Sequence, residues 1–405
     1  MSRPARWPED LDLAALRRTG FRPAPFRQFV VKVHARCNLA CDYCYVYTMA
    51  DQSWRSRPKV MSAAVHSRVC ERIAEHARTH ALAEVAVVLH GGEPLLAGTG
   101  AVERTAELLR TLLPAGTTLS LSVQTNGILL DRPMLSALRR HGYRVGVSLD
   151  GDAVGNDRHR RFADGRGSYA QVRAGLDLLT GADFREMFAG LLCTVDLAND
   201  PVGTYEALLS FAPPTIDLLL PHGNWSDPPP GRPPTGATPY ADWLIAVFDR
   251  WYGAPRRETG IRLFEEIIHL LLGGPGRSES VGLSPYVTAV VDTDGAVEQV
   301  DTLKSAYPGA PATGRNVDTD AFDAALWHPA VVARQLGAAA LSDECGRCDV
   351  VRTCGGGCFP HRYRAGFGFR NPSVYCVDLY RLIDHVRRRL SVDLRQRVPA
   401  VPSIE

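Results

Sequence analysis

Residues 29–44 read FVVKVHARCNLACDYC, a β-rich run passing directly into a loop that carries Cys37, Cys41 and Cys44. A strand whose C-terminal end opens into a loop of reactive side chains is the unit from which parallel α/β sheets and barrels build their sites. Working outward, the same unit recurs. VAVVLH (85–90), LSLSVQTNG (119–127), YRVGVSLDG (143–151), FAGLLCTVD (188–196) and IDLLLPHG (216–223) are further strand candidates. Helical stretches separate them, after Ser62, up to Leu113, from Leu135 to His141, from Tyr169 to Thr180 and near Tyr205. Ser62 is a natural cap, with Val65, Val69 and Ile73 on one helical face behind it. Six such units predict a parallel sheet covered by helices, curved into a partial barrel.

The three thiols stand four and three residues apart. Three thiolates hold only three irons of a cubane and leave the fourth open, whereas a structural zinc site takes four protein ligands. An open iron can chelate the amino and carboxylate groups of a small ligand. Downstream, Gly91-Gly92-Glu93-Pro94, Gln124-Thr125-Asn126-Gly127 and Ser148-Leu149-Asp150-Gly151 end successive strands, and Asp157 and Arg160 follow in NDRHR. In this order, CxxxCxxC with Tyr43 before its third cysteine resembles the radical SAM superfamily. The resemblance implies a partial (β/α)6 TIM-like barrel of the α/β class and a 4Fe-4S cluster on Cys37, Cys41 and Cys44. It further implies S-adenosyl-L-methionine bound by Tyr43, Gly91, Gly92, Glu93, Pro94, Gln124, Asn126, Ser148, Asp150 and Arg160, the arginine pairing with the ligand carboxylate. His34 and His90, beside these motifs on apolar strands, read as structural histidines.

The chain has 405 residues, 45% hydrophobic and 22% charged, with a net charge of +2. That balance predicts a folded protein without a polycationic face for nucleic acid, and no stretch predicts a membrane span or signal sequence, so a cytoplasmic location is expected. In a reducing compartment ten cysteines are ligands or buried thiols rather than disulfides. Cys70 and Cys193 read as small buried side chains. DPPPGRPPTGATP (227–239) predicts a linker. The expected organisation is an N-terminal arm over 1–25, barrel over 26–226, linker and bridging helices over 227–285, a cysteine-rich domain over 286–385, and a helix end and tail over 386–405. Asp294-Gly295 predicts a hairpin in YVTAVVDTDGAVEQV.

Cys345, Cys348, Cys354, Cys358 and Cys376 form a second group. By spacing alone a four-cysteine zinc knuckle is possible. Its pattern resembles the SPASM domain, which implies an auxiliary 4Fe-4S cluster on Cys345, Cys348, Cys354 and Cys376. No cysteine lies between Cys193 and Cys345 to complete another cluster around Cys358. Two clusters are therefore expected.

Longer stretches, among them VYTMADQSWRSRP, LLLPHGNW, VEQVDTLKSAY and GGGCFPHRYRAGFGFRNPSVYC, are similar to FxsB-type radical SAM/SPASM peptide maturases. This resemblance implies a ribosomally made precursor peptide as substrate and a cyclophane as product, a carbon–carbon bond between an aromatic ring and the β-carbon of the residue two positions on. Rearomatising the ring releases one electron, for which the auxiliary cluster is the expected acceptor, and one proton. Glu298 and Asp301 are the candidate bases, with surface acids of a hairpin the other reading. His361, Arg362, Tyr363, Arg364 and Arg370 read as peptide-carboxylate ligands or as surface residues. No winged-helix leader-binding domain fits the roughly 25 residues before the barrel. A flavodoxin or ferredoxin is the expected electron donor. Thioether bridging, epimerisation, or Ser/Cys oxidation are the other reactions considered, and a non-enzymatic iron–sulfur scaffold the remaining class.

Overall fold

The structure is a computed structural model describing residues 7–232 and 236–397. The start of the expected arm, the middle of the expected linker and the end of the expected tail lie outside the described residues. Among the described residues, β1 (Gln28–His34), β2 (Glu84–Gly91), β3 (Thr118–Thr125), β4 (Tyr143–Ser148), β5 (Phe188–Thr194) and β6 (Thr215–Leu219) are the six expected strands. The hairpin expected around Asp294-Gly295 forms as β8 (Thr288–Val291) and β9 (Ala296–Glu298), and the structure adds β7 (Gly260–Ile261) and β10 (Ala312–Asn316). All join one sheet in the order β10-β9-β8-β1-β2-β3-β4-β5-β6-β7. From β8 through β7 every neighbour is parallel, and β9 is antiparallel to both β8 and β10.

Alternation explains the layering. In β1, Phe29, Val31 and Val33 are buried on the helix-covered face, where the Phe29 ring lies 5.9 Å from His76 of the helix Ala63–Thr79. Ser62 caps that helix, its Oγ accepting from the Val65 amide at 3.2 Å. Its buried stripe carries Val69, Ile73 and Ala77, with Cys70 buried beside them. The other face of β1 carries Lys32, a buried cation inside the barrel.

The sheet crosses the expected linker. β7 follows that stretch and pairs with β6, while β8 pairs with β1 at the opposite edge. β7 has two residues, too few for alternation to reveal. The Asp294-Gly295 turn joins β8 to β9, and Gly295, at φ 82°, adopts the left-handed conformation glycine tolerates. The C-terminal helix Cys376–Arg397 packs on Pro239–Tyr252, with the Tyr240 and Tyr375 rings 5.0 Å apart and Asp378 Oδ1 accepting from the Ala241 amide at 2.9 Å. Trp225 ties the linker's start to the cysteine-rich segment, its amide donating to Tyr363 O at 3.0 Å and its indole to Pro372 O at 2.7 Å. No helix among the described residues is long and apolar enough to cross a membrane.

Candidate active site

Cys37, Cys41 and Cys44 lie together on the loop after β1 and line one cavity of ≈1020 Å³. The loop is wound by short-range bonds, Cys44 N to Cys41 O at 3.3 Å and Tyr47 N to Cys44 O at 3.1 Å. Burial pushes the Cys37 thiol up to about 12 and Cys41 to about 11, so an electropositive partner is what would hold them as thiolates. Three converging cysteines beside open space fit a cubane with one free iron.

The strand ends complete the cavity. Gly91 and Gly92 from β2, Gln124 and Asn126 from β3, and Ser148 and Asp150 from β4 line it. Gly92 is required by space, because a Cβ there would come within 1.9 Å of Tyr47 Oη and 2.5 Å of the Arg36 carbonyl. Glu93 and Pro94 do not face the cavity. Glu93 is buried behind it, accepting from Thr125 Oγ1 at 2.7 Å, Leu95 N at 3.0 Å and Asn126 N at 2.8 Å, and so ties the end of β2 to that of β3. Asp157 likewise turns inward, accepting from the Ser168 and Tyr169 amides, each at 2.8 Å.

Tyr43, Asp150 and Arg160 interlock at the rim. Arg160 Nη1 donates to Tyr43 Oη at 2.9 Å, and that hydroxyl donates to Asp150. Asp150 Oδ1 accepts from the Thr194 amide at 2.9 Å. Burial opposes the Arg160 charge, yet Tyr43, Cys41 and Asp150 outweigh it and hold the guanidinium firmly protonated. Its Nε is buried without a hydrogen bond among the described residues, so it keeps a donor for a ligand. His34 Nδ1 contacts Arg36 O at 2.9 Å, as befits a structural histidine. His90 departs from that expectation. It lines the cavity, and its Nδ1 is buried without a hydrogen-bond partner among the described residues.

Cys345, Cys348, Cys354 and Cys376 line a separate recess of ≈500 Å³. Four thiols in one recess fit a fully ligated cluster or a zinc ion. Cys358 faces elsewhere, into a cavity of ≈1520 Å³ with His361, His222 and Tyr45. No disulfide forms, and all ten cysteines are free.

Glu298 and Asp301 are not surface acids, being 3% and 4% exposed. Neither lines the three-cysteine cavity. They surround Lys32, whose Nζ lies 2.6 Å from Asp301 Oδ1, 3.0 Å from Asp292 Oδ2 and 3.4 Å from Glu298 Oε2. Burial disfavours the ammonium, but the three carboxylates raise its pKa well above the usual lysine value. Burial would likewise raise Asp292, yet Lys32 and Arg57 hold it down at about 2. Glu298 is further gripped by Arg57 at 2.9 Å and Lys304 at 3.7 Å, whereas Asp301 has no hydrogen bond of good geometry among the described residues. The Asp301 charge also acts on Cys44, Tyr45 and His90 in the cavity wall.

Of the peptide-carboxylate candidates, Arg362 is spent on backbone, donating through Nη2 to Gly355 O and Gly357 O, both at 2.6 Å. Arg370 Nε donates to Leu341 O at 3.0 Å, and His361 is buried against His222, 3.4 Å away. Sequence reasoning passed over Lys32, although a lone lysine in FVVKVHA was its signal. His222 in LLLPHG and Tyr45, after the third cysteine, carried none.

Residues 31–199 match the family model of the Radical SAM superfamily. That match covers less than half of the chain and contains all three cysteines of the loop after β1. Over 176 residues the chain is 34% identical to a serine-type anaerobic sulfatase-maturating enzyme of Klebsiella aerogenes, an alignment spanning 42% of this chain and 42% of that protein. The chain thus spans less than half the length of that relative. The fold resembles native anSMEcpe with bound AdoMet, with TM-score 0.79 at 20% identity, covering 92% of this chain and 100% of that one. It also resembles Streptococcus suis SuiB bound to precursor peptide SuiA, with TM-score 0.53 at 15% identity, covering 88% and 77%. The family that this stretch matches implies a 4Fe-4S cluster and S-adenosylmethionine, and Cys37, Cys41 and Cys44 in the three-cysteine cavity would be the ligands for such a cluster.

Proposed function

We propose that this chain is a peptide-modifying radical SAM oxidoreductase that joins an aromatic side chain to the β-carbon of a nearby residue in a ribosomally made precursor, forming a cyclophane. The observation supporting a peptide-sized substrate is that two cavities adjoin. Tyr45, Leu219, Leu220 and His222 line both the three-cysteine cavity and the ≈1520 Å³ cavity beside it. A polypeptide segment lying in the larger space presents a side chain to the smaller one. The cyclophane itself is supported by the FxsB-type stretches, several of which build this wall, LLLPHG and VEQVDTL among them. SuiB, similar in fold, binds the precursor peptide SuiA.

Bound at Cys37, Cys41 and Cys44 and at the cysteine quartet, the cofactors would supply a hydrogen-abstracting 5'-deoxyadenosyl radical and an electron acceptor. The chain's own residues do the rest. Gly91 and Gly92 leave room for the ligand's amino end, Arg160 offers its free Nε to a carboxylate, and Tyr43 and Asp150 hold that arginine in place. In the peptide, loss of a β-hydrogen leaves a carbon radical that adds to the ring, and restoring aromaticity releases one electron and one proton. Of the two candidate bases, Glu298 is engaged by Lys32, Arg57 and Lys304 and Asp301 by Lys32 alone; neither lines the two cavities, so either would receive the proton through an intervening group. Oxidation of a Ser or Cys is the second reading, favoured by the similarity to a sulfatase-maturating enzyme.

Mass spectrometry of the peptide encoded beside the gene, after anaerobic incubation with reconstituted enzyme, SAM and reductant, tests this. A crosslink removes two hydrogens and blocks fragmentation within an aromatic-x-x triplet. Loss of two hydrogens at a Ser, or loss of two hydrogens with sulfur exchanged for a water-derived oxygen at a Cys, instead selects the second reading.

A further inference from the structure

Three residues that line one recess each carry a buried polar atom short of a well-formed hydrogen bond. Arg334 Nη1, Ser284 Oγ and Tyr286 Oη have no hydrogen bond of competent geometry among the described residues, and all three residues line a recess of ≈460 Å³. The Arg334 side chain is 4% exposed. Its guanidinium lies against Tyr286, 3.6 Å from the ring centroid, and its Nη2 pairs with Glu279. This leaves Nη1 as the guanidinium donor without a partner among the described residues. Arg362 contributes a second positive charge to the wall, so two guanidiniums stand against the single carboxylate of Glu279. A buried guanidinium N–H and two hydroxyls left unbonded are costly, and an anion with two acceptor oxygens satisfies them together.

The location gives the recess a use. It shares Ser278 and Glu279 with the ≈1520 Å³ cavity, which in turn shares Tyr45 and His222 with the three-cysteine cavity. We propose that Arg334, Ser284 and Tyr286 form an anchoring subsite for a carboxylate of the peptide substrate, at the far end of the space that reaches the three-cysteine cavity. Resting on the peptide-maturation reading, it adds a rule of register: the modified residue is chosen by its distance along the peptide from an anchored carboxylate.

Binding without turnover tests it. Pooled random hexapeptides with free C-terminal carboxylates, and the same pool amidated, are passed over immobilised, cluster-reconstituted full-length protein, and retained peptides are quantified by mass spectrometry. Free acids should be retained at least about tenfold over amides, the worth of one charge-assisted hydrogen-bond set. Amidated peptides retained only when they contain Asp or Glu identify a side-chain carboxylate as the anchored group. Arg334→Gln should abolish the preference and Arg364→Gln should keep it. Tyr286→Phe and Ser284→Ala should each narrow it while leaving Tm unchanged or higher, since each deletes an unbonded buried hydroxyl. Equal retention of all pools, no retention of any, or a preference surviving Arg334→Gln overturns the subsite. A crosslinking assay that fails while the acid preference holds counts against the cyclophane alone.

Discussion

Lys32 shows how one side chain organises a site. Its ammonium is shared among Asp292, Glu298 and Asp301, which come from the far end of the sequence. Removing one member of a buried ionic cluster costs far more than the cluster contributes as a whole, because the remaining charges are stranded. Lys32→Met should therefore lower stability by about 3–5 kcal/mol, read as a shift in the chemical-denaturation midpoint. If Asp301 is the proton acceptor, Asp301→Asn should release 5'-deoxyadenosine with peptide present yet form little crosslink, while Glu298→Gln keeps more crosslinking. Equal loss in both variants would return the role to neither. Cys358 faces away from the quartet, so Cys358→Ser should leave iron at about eight atoms per chain, whereas Cys345→Ser should bring it down to about four.

Elements place these side chains through their ends. The loop after β2 can close over the cavity only because Gly92 has no Cβ. Gly92→Ala should abolish SAM binding in equilibrium dialysis, and adding Tyr47→Phe should not restore it, since the Arg36 carbonyl still blocks the space at 2.5 Å. The helix Ala63–Thr79 starts at the Ser62 hydroxyl, and Ser62→Ala should cost about 1 kcal/mol in thermal denaturation without altering iron content. These elements were legible in the sequence because their signals are local: a cap three residues from its amide, an alternating strand, a glycine pair at a turn. β7 was not, since its place at the edge of β6 is set by pairing across the linker.

At the scale of the molecule, one sheet carries both halves of the chemistry. β8 and β9 bring Asp292 and Glu298 beside β1, while the quartet of thiols joins residues 345–354 to the start of the C-terminal helix at Cys376. If the quartet holds a cluster, chelating the iron should make the 345–376 segment more sensitive to protease while far-UV circular dichroism of the barrel largely persists, because the cluster would supply cross-links there and most of the apolar core lies between the sheet and its helices. By itself the sequence determined the parallel α/β sheet, the three-thiol loop and the second cysteine group, for ligand spacing and strand alternation are properties of adjacent residues. Only the tertiary structure decided that Glu298 and Asp301 are buried around Lys32, with Glu298 266 residues away along the chain, that Glu93 braces the cavity instead of lining it, and that Arg334 keeps an unbonded N–H in a recess that shares lining residues with the next cavity. Burial, ion pairing and the joining of cavities depend on which distant segments the sheet sets side by side, and no local pattern carries that information.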